Sequence, residues 1–183
     1  MKVSKGSIAI AKHDRKRHLM ERILSLRIGI YMMRFSRMEL WLDDILLSAL
    51  GKPRNHPDVR DLMKEPISKR LNKTKKLLIG GCDRAAHADV KAWHQEMTDI
   101  ITTRNSICHG FWGTSGLGGD ISLLQMPTRK PRMQIADTVG FLAAKSMITS
   151  GIDAIDDMMF KMAINARFFS GGERVFSRTA RPK

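Results

Sequence analysis

From Asp14 to Leu50, apolar residues recur at spacings of three, four and seven: Met20, Ile23, Leu24, Tyr31, Phe35, Met38, Trp41, Leu42, Ile45 and Leu46. That period lines them up along one side of an α-helix. Charged residues such as Arg22, Arg34, Arg37 and Asp44 mostly fall between them. A helix of this length reaches ~55 Å at 1.5 Å per residue, and a break near Gly29 is one way to shorten it. Gly51-Lys52-Pro53 supplies the stop, a glycine for the terminal turn and a proline that cannot continue the helix.

The rest of the chain also reads as helices. Prolines at 53, 57 and 66 make residues 52 to 66 a connector, with room for a short helix from Pro57 to Lys64. Ser68 to Ile79 forms a basic amphipathic helix carrying Leu71, Leu77, Leu78 and Ile79, ended by Gly80-Gly81. Asp83 to His109 has the stripe Val90, Trp93, Met97, Ile100, Ile101, Ile107 and Cys108. Arg104 continues that stripe, seven residues after Met97 and four before Cys108. It therefore points towards the core or an interface, where an arginine is unusual unless paired or functional.

After His109 the chain becomes glycine-rich, with Gly113, Gly116, Gly118 and Gly119, and Asp120 to Met126 suits one strand of a small hairpin. Helical periodicity resumes from about Met133 and lasts to Phe169, with Gly140 and Gly151 as points of bending or close packing. The expectation is an all-α fold: a bundle of four to five helices with a short Gly-rich hairpin or loop before the last long helix. The chain divides into a basic N-terminal segment, residues 1–13, a helical domain, residues 14–169, and a basic flexible tail, residues 170–183.

Composition narrows the class. With 183 residues, 43% of them hydrophobic, the chain can bury a real core. Its 32 Lys+Arg against 18 Asp+Glu give a net charge of +14, and a pI near 10.3 points to a polyanionic partner, first of all nucleic acid. Part of the excess lies in the two ends, which also suit simple solubilising tails. Cys82 and Cys108 are too few for a disulfide scaffold. The apolar run Ile8-Ala9-Ile10-Ala11 is too short for a signal-peptide core, and no charge-free stretch approaches the ~20 residues of a membrane span. A cytoplasmic protein with no membrane role is the expectation.

The chemistry concentrates in Thr102-Thr103-Arg104-Asn105-Ser106-Ile107-Cys108-His109-Gly110. In so basic a chain an arginine five residues before a histidine is common by composition, so the setting carries the weight. The pair ends an amphipathic helix, a polar residue follows the arginine, and glycine follows the histidine. Histidine can act as base or acid near neutral pH, and a helix C-terminus favours its cationic form. Arginine offers a planar, permanently charged fork for phosphate oxygens. Asn105 is placed to orient His109 or to bind a phosphate oxygen. Positions 104 and 109 stand ~140° apart on an ideal helix. Either the helix loosens before Gly110 or a second protomer completes the site.

This segment resembles the HEPN superfamily, whose signature is an arginine, four to six residues and a histidine, often with a polar residue after the arginine. Arg104 to His109 fits with four residues between, and the long helices on either side fit the family's all-α bundle. The resemblance implies a homodimer with a shared cleft and a metal-independent endoribonuclease that cleaves single-stranded RNA by attack of the 2′-OH. It makes Arg104, His109 and Asn105 the catalytic residues, RNA the partner, and an antitoxin or companion protein a further one, in a toxin–antitoxin or phage-defence setting. Other members keep the fold without catalysis, so a nucleic-acid-binding or interaction module is the alternative. A purely structural role is open too, with Arg104 paired to Glu39, Asp43 or Asp44 and His109 capping its helix.

Other candidates are weaker. Cys82, His87, His94, Cys108 and His109 match no familiar zinc spacing, and Gly113 to Gly119 lacks the Gly-Lys-Ser/Thr of a P-loop. Neither a metal nor a cofactor is expected. The methionines sit at helical spacing and suit core filling. Trp112 beside Phe111 suits core packing or base stacking.

Overall fold

The computed structural model describes residues 5–109, 111–115, 120–124 and 138–170. The fold is all-α. Among the described residues there are five α-helices: α1 (Lys5–Leu50), α2 (Pro57–Met63), α3 (Ile67–Gly81), α4 (His87–His109) and α5 (Phe141–Ser170). A single 3-10 turn, Arg84–Ala86, precedes α4. Between α4 and α5 the described residues include three short strands, β1 (Phe111–Ser115), β2 (Asp120–Leu124) and β3 (Thr138–Val139), which form one antiparallel sheet in the order β1-β2-β3. Phe111 pairs with Leu124 and Ser115 with Asp120, so the expected hairpin is present and β1 is its other strand.

Boundaries follow from local chemistry. Among the described residues α1 spans Lys5–Leu50, so a boundary at residue 14 falls inside a helix. It also runs through Gly29, where no break occurs: a Cβ there would meet nothing within 4 Å, and one glycine costs a long helix only ~1 kcal/mol. α1 ends as the sequence indicates. Gly51 takes φ +62°, and its N–H donates to the Leu47 carbonyl at 3.0 Å. Pro57 occupies the first turn of α2, where its missing N–H costs nothing.

The last helix begins later than its periodicity suggests, at Phe141 instead of near Met133. Thr138 and Val139 are β-branched or β-compatible and pair with Leu124 and Leu123, which takes them out of the helix. Gly140 then opens α5, its carbonyl accepting the Ala144 N–H at 2.9 Å. The glycine-rich residues 116–119 and the C-terminal segment 171–183 lie outside the described residues.

The chain divides into two compact units. The first comprises residues 1–33 and 103–152. It buries Met20, Leu24 and Tyr31 of α1, Ile107 of α4, and Ala144 and Ile148 of α5, and Arg27 donates to the Thr149 hydroxyl at 2.7 Å. The second comprises residues 34–102 and 153–183. Its core includes Phe35, Met38, Leu42, Leu46, Val59, Leu71, Met97, Ile155, Met158 and Met162. Ion pairs join its helices: Arg34 with Asp156, and Lys161 with Glu96 at 2.8 Å.

Candidate functional site at the end of helix α4

α4 delivers the motif. Its buried positions Ile100, Ile101 and Ile107 anchor the last turns, and the helix stays α-helical to His109. That removes one of the two geometric options, loosening before Gly110. Positions 104 and 109 keep their ~140° separation. The His109 side chain, and those of Phe111 and Trp112, lie outside the described residues.

Arg104 is half-buried, not inserted in the core, and Asn105 is exposed. A guanidinium N–H of Arg104 donates to Asn105 Oδ1 at 3.0 Å. This contact turns the guanidinium towards the face of α4 that carries Asn105. Asn105 in turn stands one turn before His109, and residues four apart share a helix face. The ~140° is therefore crossed in two steps, a hydrogen-bonded ~100° from Arg104 to Asn105 and a helical ~40° from Asn105 to His109.

Arg104 also lies within electrostatic reach of a residue that the periodicity marks only as core. Tyr31 of α1 is fully buried. Burial pushes its hydroxyl well above the usual phenol range, charge at Cys108 adds to the rise, and the Arg104 guanidinium opposes it. Tyr31, Cys108 and Arg104 thus lie within electrostatic reach of one another. Cys108 Sγ also contacts the Met32 sulfur at 3.0 Å. The chain has one tyrosine, but nothing local in the sequence links residue 31 to residue 104.

The carboxylates that a structural role would give Arg104 are engaged elsewhere. Glu39 and Asp43 both pair with Arg70 of α3, and Asp44 lies 3.8 Å from Arg54. Burial raises the Asp43 carboxyl above its ordinary range despite the opposing pull of Arg70. The other two histidines of α4 have ordinary partners: His87 Nε2 is 3.1 Å from the Ile79 carbonyl, and His94 Nε2 is 2.8 Å from Asn72 Oδ1. Among the described residues, no group of three His, Cys, Asp or Glu is arranged to hold a metal ion, and no helix is long and apolar enough to cross a membrane. Comparison with protein-family models, with curated proteins and with solved structures gave no match.

Proposed function

We propose that this chain is a HEPN-like, metal-independent endoribonuclease that acts on single-stranded RNA as a homodimer. The observation that carries the reading is the Arg104–Asn105 hydrogen bond one helical turn before His109. It draws a phosphate-binding fork towards the face that bears a proton-transferring residue. In the reaction, neutral His109 of one protomer removes the 2′-OH proton and O2′ attacks the adjacent phosphorus. The P–O5′ bond then breaks, leaving a 2′,3′-cyclic phosphate, and the imidazolium of the second protomer's histidine protonates the departing 5′ oxygen. Arg104 balances the extra negative charge on the phosphorane oxygens. The +14 net charge would hold the RNA backbone. A facing protomer would bring a second Arg104–His109 pair into the same cleft, α4 being helical to its end.

The test is cleavage of a labelled single-stranded RNA by the purified chain in EDTA, with cyclic-phosphate ends as the product. Loss of cleavage in His109→Ala and Arg104→Ala supports the reading. No cleavage by the unaltered chain, or cleavage indifferent to His109→Ala, overturns it. A non-catalytic RNA-binding module is then favoured if Arg104→Ala still weakens RNA binding.

A further inference from the structure

A second surface has the chemistry of a docking seam. On α1, Leu19, Leu26 and Met33 are 58%, 67% and 62% exposed and stand seven residues apart. Arg15, Arg22 and Gly29 alternate with them at spacings of four and three, and all three are exposed. This 4-3-4-3 run is the register of a coiled-coil seam, apolar at every a position, basic at the first two d positions and bare at the third. Leu40, seven residues further along the chain, is also exposed. Within the first unit the opposite side of α1 is occupied, since Met20, Leu24 and Tyr31 are buried. We infer that the Arg15–Met33 face of α1 binds an amphipathic helix of a partner protein, with apolar residues along its seam and carboxylates opposite Arg15 and Arg22. The inference is independent of the ribonuclease reading.

Charge selects this occupant. Arg15 and Arg22 make no ion pair with any described carboxylate, whereas Arg17 on the same helix is 3.7 Å from Glu21. Burying them in a seam without carboxylates would be costly. A second copy of the chain brings the same arginines to the seam, so like charges would meet. The chain's own remaining segments are basic too. Residues 125–137 carry Arg129, Lys130 and Arg132 against Asp137, and residues 171–183 carry Arg174, Arg178, Arg181 and Lys183 against Glu173. RNA has no use for three heptad-spaced apolar side chains. A helix lying on a lipid surface needs a broad apolar face, and here Leu19, Leu26 and Met33 are exposed while Ile23 and Ile30 beside them are half-buried. The missing side chain at Gly29 leaves space for a bulky residue of the partner helix.

The experiment measures fluorescence anisotropy of a labelled synthetic helix of about three heptads, leucine at a and glutamate at d, titrated with the full chain. A matched peptide has lysine at d. The glutamate peptide is expected to bind at least ~10-fold tighter than the lysine peptide, Arg22→Glu to abolish that preference, and Arg15→Glu with Arg22→Glu to reverse it. Leu26→Asp and the uncharged Leu26→Ser should each weaken binding of the glutamate peptide with unchanged far-UV circular dichroism. Equal binding of both peptides, or of neither, overturns the inference. So does a dimer in sedimentation that Leu26→Asp dissolves, which makes a second copy the occupant. Binding to vesicles of phosphatidylserine and phosphatidylcholine that is lost in Leu26→Asp assigns the face to a lipid surface and likewise overturns it.

Discussion

The Tyr31 ring lies directly against Gly151: a Cβ added at 151 would stand 2.7 Å from Tyr31 Cε2 and 3.5 Å from Thr103 Cγ2. The aromatic ring is fully buried and cannot swing into solvent. Gly151→Ala should therefore destabilise the protein by about 1–3 kcal/mol, the usual cost of overpacking, although alanine is the better helix former. Gly29→Ala meets open space and should stabilise by about 0.5–1 kcal/mol. Urea denaturation of the two variants should move the midpoint in opposite directions. A stabilising Gly151→Ala would disprove the contact.

Arg70 holds two carboxylates of α1 together. Its guanidinium pairs with Glu39 and Asp43, and its Nε donates to the Glu65 carbonyl at 3.1 Å. Only 7% of the side chain is exposed. Arg70→Ala would leave buried negative charge uncompensated, a loss of about 3–5 kcal/mol. Adding Glu39→Gln and Asp43→Asn to Arg70→Ala should recover part of it. Chemical denaturation of the single and triple variants checks this, and equal stability of all of them would show that the network contributes nothing.

These two contacts mark where the sequence stops being informative. The all-α class, the end of α1 at Gly51, the short helix at Pro57 and the end of α4 at His109 follow from periods and breakers that act within a few residues. The Arg70 network depends on contacts far apart in the chain. Helical periodicity assigns a charge to the outside, and its partners lie 27 and 31 residues away in α1. Tyr31 reads as one more apolar position, and its tie to Arg104 depends on how α1 and α4 pack within the first unit. Gly151 reads as a point of bending or close packing, but nothing local names Tyr31 as its neighbour. The periodicity places the α5 start too early because an amphipathic pattern does not report the strand pairing of Thr138 and Val139 that overrides it.

If the proposed chemistry holds, Arg104→Ala should lower the cleavage rate by about 10²–10³, as expected for losing a group that stabilises transition-state charge. Arg104→Lys should recover little, since an ammonium cannot form the planar fork. Asn105→Ala keeps the fork but frees it from its 3.0 Å anchor, so a smaller fall is expected. Single-turnover rates on a labelled RNA order the variants. A rate in Asn105→Ala equal to that of the unaltered chain would mean that the anchor does not serve the reaction.

The single tyrosine makes the electrostatics of the first unit directly measurable. Tyr31 is the only phenol in the chain, so tyrosinate absorbance at 295 nm reports it alone. Burial raises its folded pKa, with Cys108 adding to the rise, whereas the unfolded chain titrates near about 10. Below about pH 10 the phenol is neutral in both states and contributes no pH dependence. Above that the unfolded chain releases its proton and the folded one does not, so stability falls as pH rises. Tyrosinate should then appear only as the helix signal is lost, with both transitions coinciding in an alkaline titration followed by absorbance and far-UV circular dichroism. Arg104 pulls the other way, so Arg104→Ala should make the folded phenol still harder to ionise. Titration of Tyr31 near pH 10 with full helicity retained would place the ring in solvent and contradict its burial against Gly151.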